Sequence, residues 1–391
     1  MTKEKTQVSC WNLILIGSAI FACVSLAFMF SSLIAHPPAE SKATEPPAPA
    51  EPIKCEIMDT YDTIIIDALS EAYEAAYAVK KVYWIPEDAL VAPVPNPACY
   101  GETDDPTSLQ WLLDEAAELL GGQELLFHTD VELALNSKVS YYLDESIFVI
   151  TWLEIRNNYI YTFSEVKITH PSQFRRYLGN NEYDSGVVNS VPNMSDLVNA
   201  VMASSADYYL GRNHGIIVYE GEVKRTNFSD LVDTCFVDRN GDLILVPAGE
   251  LITMEEAQAF VDEHDINFSL AFGPILVRDS VRCEPERYYL GEPNGFYPRA
   301  ALCQMDDLHY VAVMANGQYG FRNSPNIHQF ADIIEQLKPK HAYTLDGGQT
   351  GTIVMHGEAM NPRTNGGRWI SDIIYWGTAI GYEEPEATQP E

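Results

Sequence analysis

Basic residues are scarce in this chain of 391 residues, which has 24 Lys and Arg against 56 Asp and Glu and a formal net charge of −32. A surface this acidic repels phosphate backbones and argues against nucleic acid as the main partner. It equally disfavours binding to an anionic membrane through a basic face. Hydrophobic residues make up 46% of the chain. The chain can therefore bury a large core, and its length allows two or three domains of roughly 150 residues.

The common catalytic and metal-binding motifs are also missing. The sequence has no HExxH, GxSxG, Walker or GxGxxG pattern, which argues against zinc proteases, α/β-hydrolases and nucleotide-binding folds. None of the seven cysteines forms a CxxC pair, so nothing indicates a zinc or redox centre. The segment 238–242 begins like a calcium loop but lacks the required Gly and Glu, and Asn240-Gly241 within it predicts a hairpin instead.

Charged residues and His are absent from residues 11–35. As a helix this run would span about 37 Å, enough to cross a hydrocarbon core of roughly 30 Å. We therefore predict a cytoplasmic N-terminus (1–10), a single transmembrane anchor (11–35) and an extracytoplasmic Pro/Ala/Glu-rich stalk (36–54) at the cell membrane. A cleavable signal peptide and a buried helix remain alternatives. Residues 382–391 are predicted to form a flexible tail.

The sequence pattern changes along the extracytoplasmic part of the chain. Residues 55–136 are predicted to form a helical region of unknown role, and residues 137–381 a domain of short strands with interleaved helices. Five cysteines would lie outside the membrane, in a compartment that permits disulfides: Cys55, Cys99, Cys235, Cys283 and Cys303. Because five is an odd number, at least one of them is unpaired. The predicted fold class is α+β, with a mixed, largely antiparallel sheet, packed helices and a preceding transmembrane helix.

Particular elements follow from local patterns. A second hairpin is predicted at Asn316-Gly317, and Thr253 with Glu256 forms a possible capping box. Helices are predicted at 67–82, 108–120, 195–203, after Thr253 and at 327–337.

Three segments could carry chemistry. In HAYTLDGGQTGTIVM (341–355), Asp346 ends a strand-like run before paired glycines, which suits an acid, base or anion-binding turn; the alternative is an ordinary hairpin. Arg299 enters another strand, where it could bind phosphate or carboxylate or simply lie on the surface. The segment 203–215 combines aromatic and polar side chains, as carbohydrate sites do; the alternative is a polar loop with packing tyrosines.

Five segments between residues 137 and 381, in chain order, resemble the phosphodiester glycosidase family. This is the family of the uncovering enzyme, N-acetylglucosamine-1-phosphodiester α-N-acetylglucosaminidase, and of bacterial exopolysaccharide-associated proteins. The segments are SSADYYLGRNHG, FGPIL, PRAALC, LDGGQTGT and SDIIY. Each is weak alone, but their order over some 240 residues is specific.

The resemblance implies a hydrolase, which the predicted anchor would place outside the cytoplasm. No cofactor and no metal-binding residue is predicted, and a metal requirement stays open. It would cleave the bond between a sugar's anomeric carbon and a phosphodiester in envelope or exopolysaccharide glycans. The implied catalytic residues are Asp207, Asp346 and Arg299, with Arg299 as the phosphate clamp. The implied substrate-binding residues are Tyr208, Arg212, Gly347, Gly348 and Thr350. Which carboxylate is acid and which is base stays open.

Three departures from the family pattern bear on activity. Ser205-Ala206 stands where the family has Asn-Gly, Ala300 replaces Thr, and Gln349-Thr350-Gly351 replaces Gly-Ser-Ser. They leave open a shifted substrate or, as the alternative function, a non-catalytic polysaccharide-binding or assembly protein. A third hypothesis is a structural ectodomain that binds a protein through residues 55–136.

Overall fold

The computed structural model describes residues 83–119, 121, 123–227, 232–251, 253–284, 295–317, 324–362 and 367–382. The predicted anchor, the stalk, the helix at 67–82, Cys55 and almost all of the tail lie outside these residues. No helix in the described ranges is long and apolar enough to span a bilayer.

The described residues form a sheet-rich fold with four α-helices. The helices are α1 (Gln110–Leu119), α2 (Val191–Leu197), α3 (Met254–Glu263) and α4 (Ile327–Gln336). The strands are β1 (Tyr100–Thr103), β2 (Val139–Leu143), β3 (Ile147–Arg156), β4 (Tyr159–Ile168), β5 (Phe174–Leu178), β6 (Met202–Ser205), β7 (Gly215–Tyr219), β8 (Glu222–Asn227), β9 (Thr234–Asp238), β10 (Leu243–Val246), β11 (Ile266–Leu270), β12 (Ile275–Arg278), β13 (Val281–Arg282), β14 (Arg299–Asp306), β15 (His309–Gly317), β16 (His341–Leu345), β17 (Ile353–Met355), β18 (Glu358–Ala359) and β19 (Asp372–Trp376).

Two sheets provide the framework of the fold. The larger has nine strands in the order β1-β2-β3-β4-β15-β14-β16-β12-β13, and the second has five in the order β18-β17-β6-β19-β5. Smaller sheets are formed by β10-β9-β11 and β7-β8. Neighbouring strands run antiparallel throughout the described residues. The α+β prediction with a largely antiparallel sheet is therefore confirmed.

Both faces of the nine-stranded sheet are covered. One face packs against the five-stranded sheet, where Phe174 and Trp376 stack at 4.7 Å between ring centroids and lie beside Tyr310. The other face packs against α1 and α4, which bury Leu112 and Phe330 there. This double coverage explains why β3 and β15 contain long apolar runs rather than strict alternation. Burying each large apolar side chain contributes about 1.5–3 kcal/mol.

Several local predictions are confirmed. The helix predicted at 108–120 is α1, and Thr253 and Glu256 form the predicted capping box at the start of α3. The helix predicted at 327–337 is α4, capped by Asn326. The hairpin around Asn240-Gly241 joins β9 to β10.

Two local predictions are wrong. The helix predicted at 195–203 begins earlier, because Ser190 accepts a hydrogen bond from Asn193 N and caps α2, which ends at Leu197. Residues 202–205 form a strand instead. Asn316-Gly317 is not a hairpin turn: both residues continue β15 and pair with β4, so tertiary pairing overrides the local turn preference.

The N-terminal part of the described chain packs with the sheets. β1 is the edge strand beside β2 of the nine-stranded sheet. Leu109 and Phe127 share the core under α1 and α4, and Ile85 and Ala92 pack on the outer face of the five-stranded sheet. Cys99, Cys235, Cys283 and Cys303 are unpaired.

Candidate active site

The end of β16 meets the end of β6 at one place where the two large sheets adjoin. Asp346, the residue after β16, donates its backbone N–H to Ala206 O at 2.9 Å. The Ser205 hydroxyl donates to Asp346 O at 3.2 Å. These two hydrogen bonds link the end of β6 in the five-stranded sheet to the end of β16 in the nine-stranded sheet. They bring together two segments that the sequence analysis singled out, 203–215 and 341–355.

A tight glycine turn brings in the third segment. Thr350 N and Gly351 N both donate to Gly347 O, and Gly348 N donates to Pro298 O at 2.8 Å. A Cβ on Gly347 would lie 2.3 Å from Pro298 O, and Gly348 has a φ of +59°. Gly347 leaves no room for a side chain, and Gly348 adopts a left-handed conformation that favours glycine. The turn therefore lies directly against the start of β14.

The Asp346 carboxylate is flanked by two arginines. Its Oδ1 lies 3.5 Å from Arg212 Nη2, and its Oδ2 accepts from Arg368 Nη2 at 3.0 Å. Arg368 also donates to Thr350 Oγ1 at 2.7 Å. Burial raises the pKa of Asp346 above its ordinary value, while the two arginines and the Thr350 hydroxyl act in the opposite direction. We name Asp346, Arg212 and Arg368 the open cluster, because the Arg368 side chain is 44% exposed.

Aromatic rings support both arginines of the open cluster. The Arg212 guanidinium carbon lies 3.7 Å from the centroid of Phe272, and that of Arg368 lies 4.6 Å from the centroid of Tyr208. Tyr208 itself has a left-handed φ of 55°. A Cβ on Gly211 would lie 2.1 Å from its ring. Cation–π contact and tight packing therefore fix where the positive charges lie.

Asp207 lies in a second group, with Arg176 and Asp372, that we name the buried cluster. Arg176 Nη2 donates to Asp207 Oδ1 and to Asp372 Oδ2, each at 2.7 Å, and all three side chains are fully buried. A further Arg176 N–H donates to Ser269 O. The other Asp207 oxygen accepts from Ala271 N at 2.7 Å. Both Asp207 oxygens are therefore engaged inside the protein.

The buried cluster holds one cation between two carboxyl groups. Burial raises the pKa of Asp207 to about 7, with Asp372 adding to the rise and Arg176 opposing it. A single guanidinium cannot neutralise two buried carboxylates, so the cluster retains a proton more readily than an isolated Asp would. Asp372 also accepts from Tyr208 N at 2.9 Å. The cluster thus anchors the backbone from which Tyr208 and Arg212 project.

The backbone of Arg299 lies at the site, while its side chain makes its contacts elsewhere. Its neighbour Ala300 pairs with Leu345, so Arg299 stands beside Asp346 in the strand register. Its guanidinium donates to Gly295 O at 2.8 Å and lies 5.4 Å from the centroid of Tyr297. The ion pairs of Asp346 come from Arg212 and Arg368 instead. A phosphate-clamping role for Arg299 stays a prediction.

The predicted residues therefore divide between two environments. Asp346, Arg212, Thr350 and the paired glycines meet at one point, with Tyr208 beneath Arg368. Asp207 lies near this point in the fold, but its side chain is buried and closed off from solvent. Their catalytic and binding roles stay predictions.

The departures from the family pattern have structural explanations. Ala300, where the family has Thr, is fully buried in the core between the sheets, where a hydroxyl would be desolvated. Ser205 and Ala206, where the family has Asn-Gly, are also fully buried. The Gln349 side chain is exposed, so the Gly-to-Gln change points outward from the turn. Thr350 keeps a hydroxyl that accepts from Arg368.

Three functional candidates were not predicted from the sequence. Arg176 lies within FRRYL, which carries no motif, and Arg368 lies outside the family segments. Asp372 stands in SDIIY, which supported the resemblance, and a buried Asp at a strand start was the available signal. Within the described ranges, no group of three or more His, Cys, Asp or Glu is placed to hold a metal ion.

Comparison with known proteins supports the family resemblance. Residues 196–376 match the model of the phosphodiester glycosidase family. These residues contain the open cluster together with Asp207 and Asp372 of the buried cluster. The resemblance inferred from the five segments is confirmed over this range, and the match supports a hydrolase of the phosphodiester glycosidase class. A search of curated proteins finds no significant match.

Solved structures show weaker likenesses. The catalytic domain of zebrafish N-acetylglucosamine-1-phosphodiester α-N-acetylglucosaminidase, auto-inhibited by its pro-peptide, is 14% identical with a TM-score of 0.47, covering 65% of this chain and 87% of that one. A hypothetical protein from Synechocystis is 12% identical with a TM-score of 0.43, covering 63% and 64%. A putative exported protein from Burkholderia pseudomallei is 12% identical with a TM-score of 0.37, covering 56% and 74%.

Proposed function

We propose that this protein hydrolyses the bond between the anomeric carbon of a sugar and a phosphodiester, with the open cluster as its reactive centre. The observation that carries the proposal is one carboxylate held between two arginines, Arg212 and Arg368, at a partly exposed strand end. With all three groups ionised, the cluster has one net positive charge. Such a group can bind an anionic phosphodiester even on an acidic protein, because charge complementarity acts locally.

The chemistry requires little proton donation to the leaving group. Water attacks the anomeric carbon and gives a proton to Asp346, while the bond from that carbon to the phosphodiester oxygen breaks with its electron pair. The products are a free sugar and a phosphomonoester. The two arginines stabilise the charge that develops on phosphate, and the raised pKa of Asp346 favours proton acceptance.

We further propose that the enzyme acts outside the cytoplasm, tethered to the cell membrane by residues 11–35. The uncharged run and the Pro/Ala/Glu-rich segment that follows it support this arrangement. An anchored enzyme with an extended stalk would stay within reach of envelope or exopolysaccharide glycans.

The test compares two leaving groups on one sugar. Full-length protein in detergent is given UDP-N-acetylglucosamine and the neutral p-nitrophenyl α-glycoside of N-acetylglucosamine, and released sugar is measured. We expect kcat/KM to be higher for the phosphodiester by about 100-fold or more, since removing one such stabilising contact typically costs that much. Equal rates on both substrates would contradict a phosphate-directed site. Saturable glycan binding with no product from any phosphodiester sugar would favour the non-catalytic alternative.

A further inference from the structure

A cleft of about 630 Å³ lies on another part of the molecule, away from the open cluster. One wall is the segment 84–90, and the facing walls come from the turn before β5, from β5 itself, from the β7–β8 turn and from the ends of β9 and β11. We call it the 84–90 cleft. Its volume is within the range of about 300–1,000 Å³ that is typical of small-ligand sites. Asp346, Arg212 and Arg368 are not among its lining residues.

We propose that the 84–90 cleft binds an uncharged segment of a glycan chain. Its most prominent apolar feature is Trp84, which lines the cleft and is 60% exposed. An exposed indole offers a wide, rigid, apolar face and one N–H donor, which suits the apolar face of a sugar ring and the hydroxyls around it.

Polar groups with spare hydrogen-bonding capacity line the same cleft. The Asn267 side-chain amide makes no hydrogen bond to other described residues, and the Asn181 oxygen accepts from Tyr219 OH at 2.7 Å while its NH₂ remains available. Arg175 Nη2 donates to Ala89 O at 2.6 Å, whereas its buried Nη1 has no hydrogen-bond partner in the described structure. The side-chain amides match the mixed donors and acceptors of sugar hydroxyls, whereas the buried Arg175 Nη1 is not accessible to a ligand.

The charges around the cleft favour a neutral ligand. Glu87, Asp88 and Glu220 are exposed on its walls. Arg239, the most exposed cation there, is already paired with Glu87 at 3.6 Å and with Asp265 at 3.1 Å. A polyanion would meet uncompensated carboxylates, in a protein whose formal charge is −32. An uncharged oligosaccharide meets no such repulsion.

Strand β5 borders the cleft through Phe174, Arg175 and Arg176. Arg176 also belongs to the buried cluster, while Arg175 bonds to the segment 84–90. None of the three open-cluster residues lines the cleft, so binding there does not depend on the proposed hydrolysis.

Binding of neutral hexasaccharides tests the proposal. Full-length protein in detergent is titrated with the hexamers of N-acetylglucosamine and of glucose by calorimetry. We expect saturable binding of at least one hexamer, weakened at least tenfold by Trp84→Ala and by Asn267→Ala. Trp111→Ala is the matched control, because Trp111 is 52% exposed and is not one of the lining residues; it should bind like wild type. Thermal unfolding of each variant verifies that it folds.

Two outcomes would overturn the proposal: no binding of either hexamer by the wild-type protein, or equal weakening by Trp84→Ala and Trp111→Ala. The readout is independent of turnover. Asp346→Asn should retain hexamer binding, so loss of hydrolysis and loss of glycan binding are distinguishable.

Discussion

The buried cluster and the open cluster use the same two residue types in opposite proportions. In the first, Arg176 lies between Asp207 and Asp372, and no side chain is exposed. In the second, the buried Asp346 lies between Arg212 and the partly exposed Arg368. The first group has one net negative charge when fully ionised and the second has one net positive charge.

This difference indicates two different roles. A closed group with surplus negative charge has no means of binding an anion, but its hydrogen bonds to Tyr208 N and Ala271 N fix the backbone of two loops. An open group with surplus positive charge suits an anion, and under the proposed function it would bind a phosphodiester beside a carboxylate that accepts a proton. We therefore expect the buried cluster to position the residues of the open one, and four experiments test this distinction.

The largest effect is expected from Asp346→Asn. Removing the only carboxylate of the open cluster should lower kcat/KM on UDP-N-acetylglucosamine by about 10²–10⁴-fold, the usual contribution of a general acid or base. The measurement is sugar release at saturating and subsaturating substrate. Asp332→Asn is the matched control, because Asp332 pairs with Arg282 on the surface, and it should keep wild-type kinetics. Activity retained in Asp346→Asn would remove Asp346 from the chemistry.

The main effect of Arg176→Leu should be a lower free energy of unfolding. It leaves two buried carboxyl groups without their cation, and breaking a buried ion pair in this way costs about 3–5 kcal/mol. The free energy of unfolding in urea measures the loss. Arg368→Leu is the comparison, because the Arg368 side chain is 44% exposed and Asp346 keeps Arg212 as a partner. The loss should therefore be smaller, closer to the value of about 0–1 kcal/mol that a partly exposed pair contributes. Equal losses in the two variants would show that the clusters do not differ as described.

The raised pKa of Asp207 predicts a pH dependence of stability. The native carboxyl, with a pKa of about 7, keeps its proton at pH values where the unfolded carboxyl, with an ordinary value of 3.8, has lost it. The contribution of Asp207 to stability therefore decreases as pH rises from 4 to 7, by at most about 1.4 kcal/mol per pH unit. Asp207→Asn lacks this titration.

Urea unfolding of wild type and Asp207→Asn between pH 4 and 7 gives the measurement. The stability advantage of wild type over the variant should shrink as pH rises. A constant difference across this range would contradict the raised pKa, and Asp332→Asn should give a curve parallel to wild type.

The smallest effect is expected from Arg368→Lys. Lysine keeps the positive charge but loses the planar fork that reaches both Asp346 and Thr350. KM for the phosphodiester should rise by about tenfold, or about 1.4 kcal/mol of binding, with a smaller change in kcat. Arg282→Lys, at a surface ion-pair group, should leave both constants unchanged. A collapse of kcat alone would instead place Arg368 in the chemical step.

Local chemistry explains what could be predicted from the sequence. The Asp346-Gly347-Gly348 turn was recognisable because close backbone approach demands glycine, and Thr253 with Glu256 satisfies the first N–H groups of α3 within four residues. The Asn316-Gly317 prediction was wrong because pairing with β4 depends on residues far away in the chain. The helix predicted at 195–203 was wrong because Ser190, rather than Ser195, supplies the cap.

The amino-acid sequence is enough to predict the acidic character of the chain, the largely antiparallel α+β class and the three segments that converge at the end of β16. Those features depend on composition, on short-range periodicity and on turn residues. Which arginines accompany each aspartate depends on the tertiary structure instead. Arg176 and Asp372 are 196 positions apart in the chain, and their pairing follows from the register of β5 against β19. Long-range strand pairing therefore encloses Asp207 completely and leaves the buried Asp346 between two cations, one of which is partly exposed.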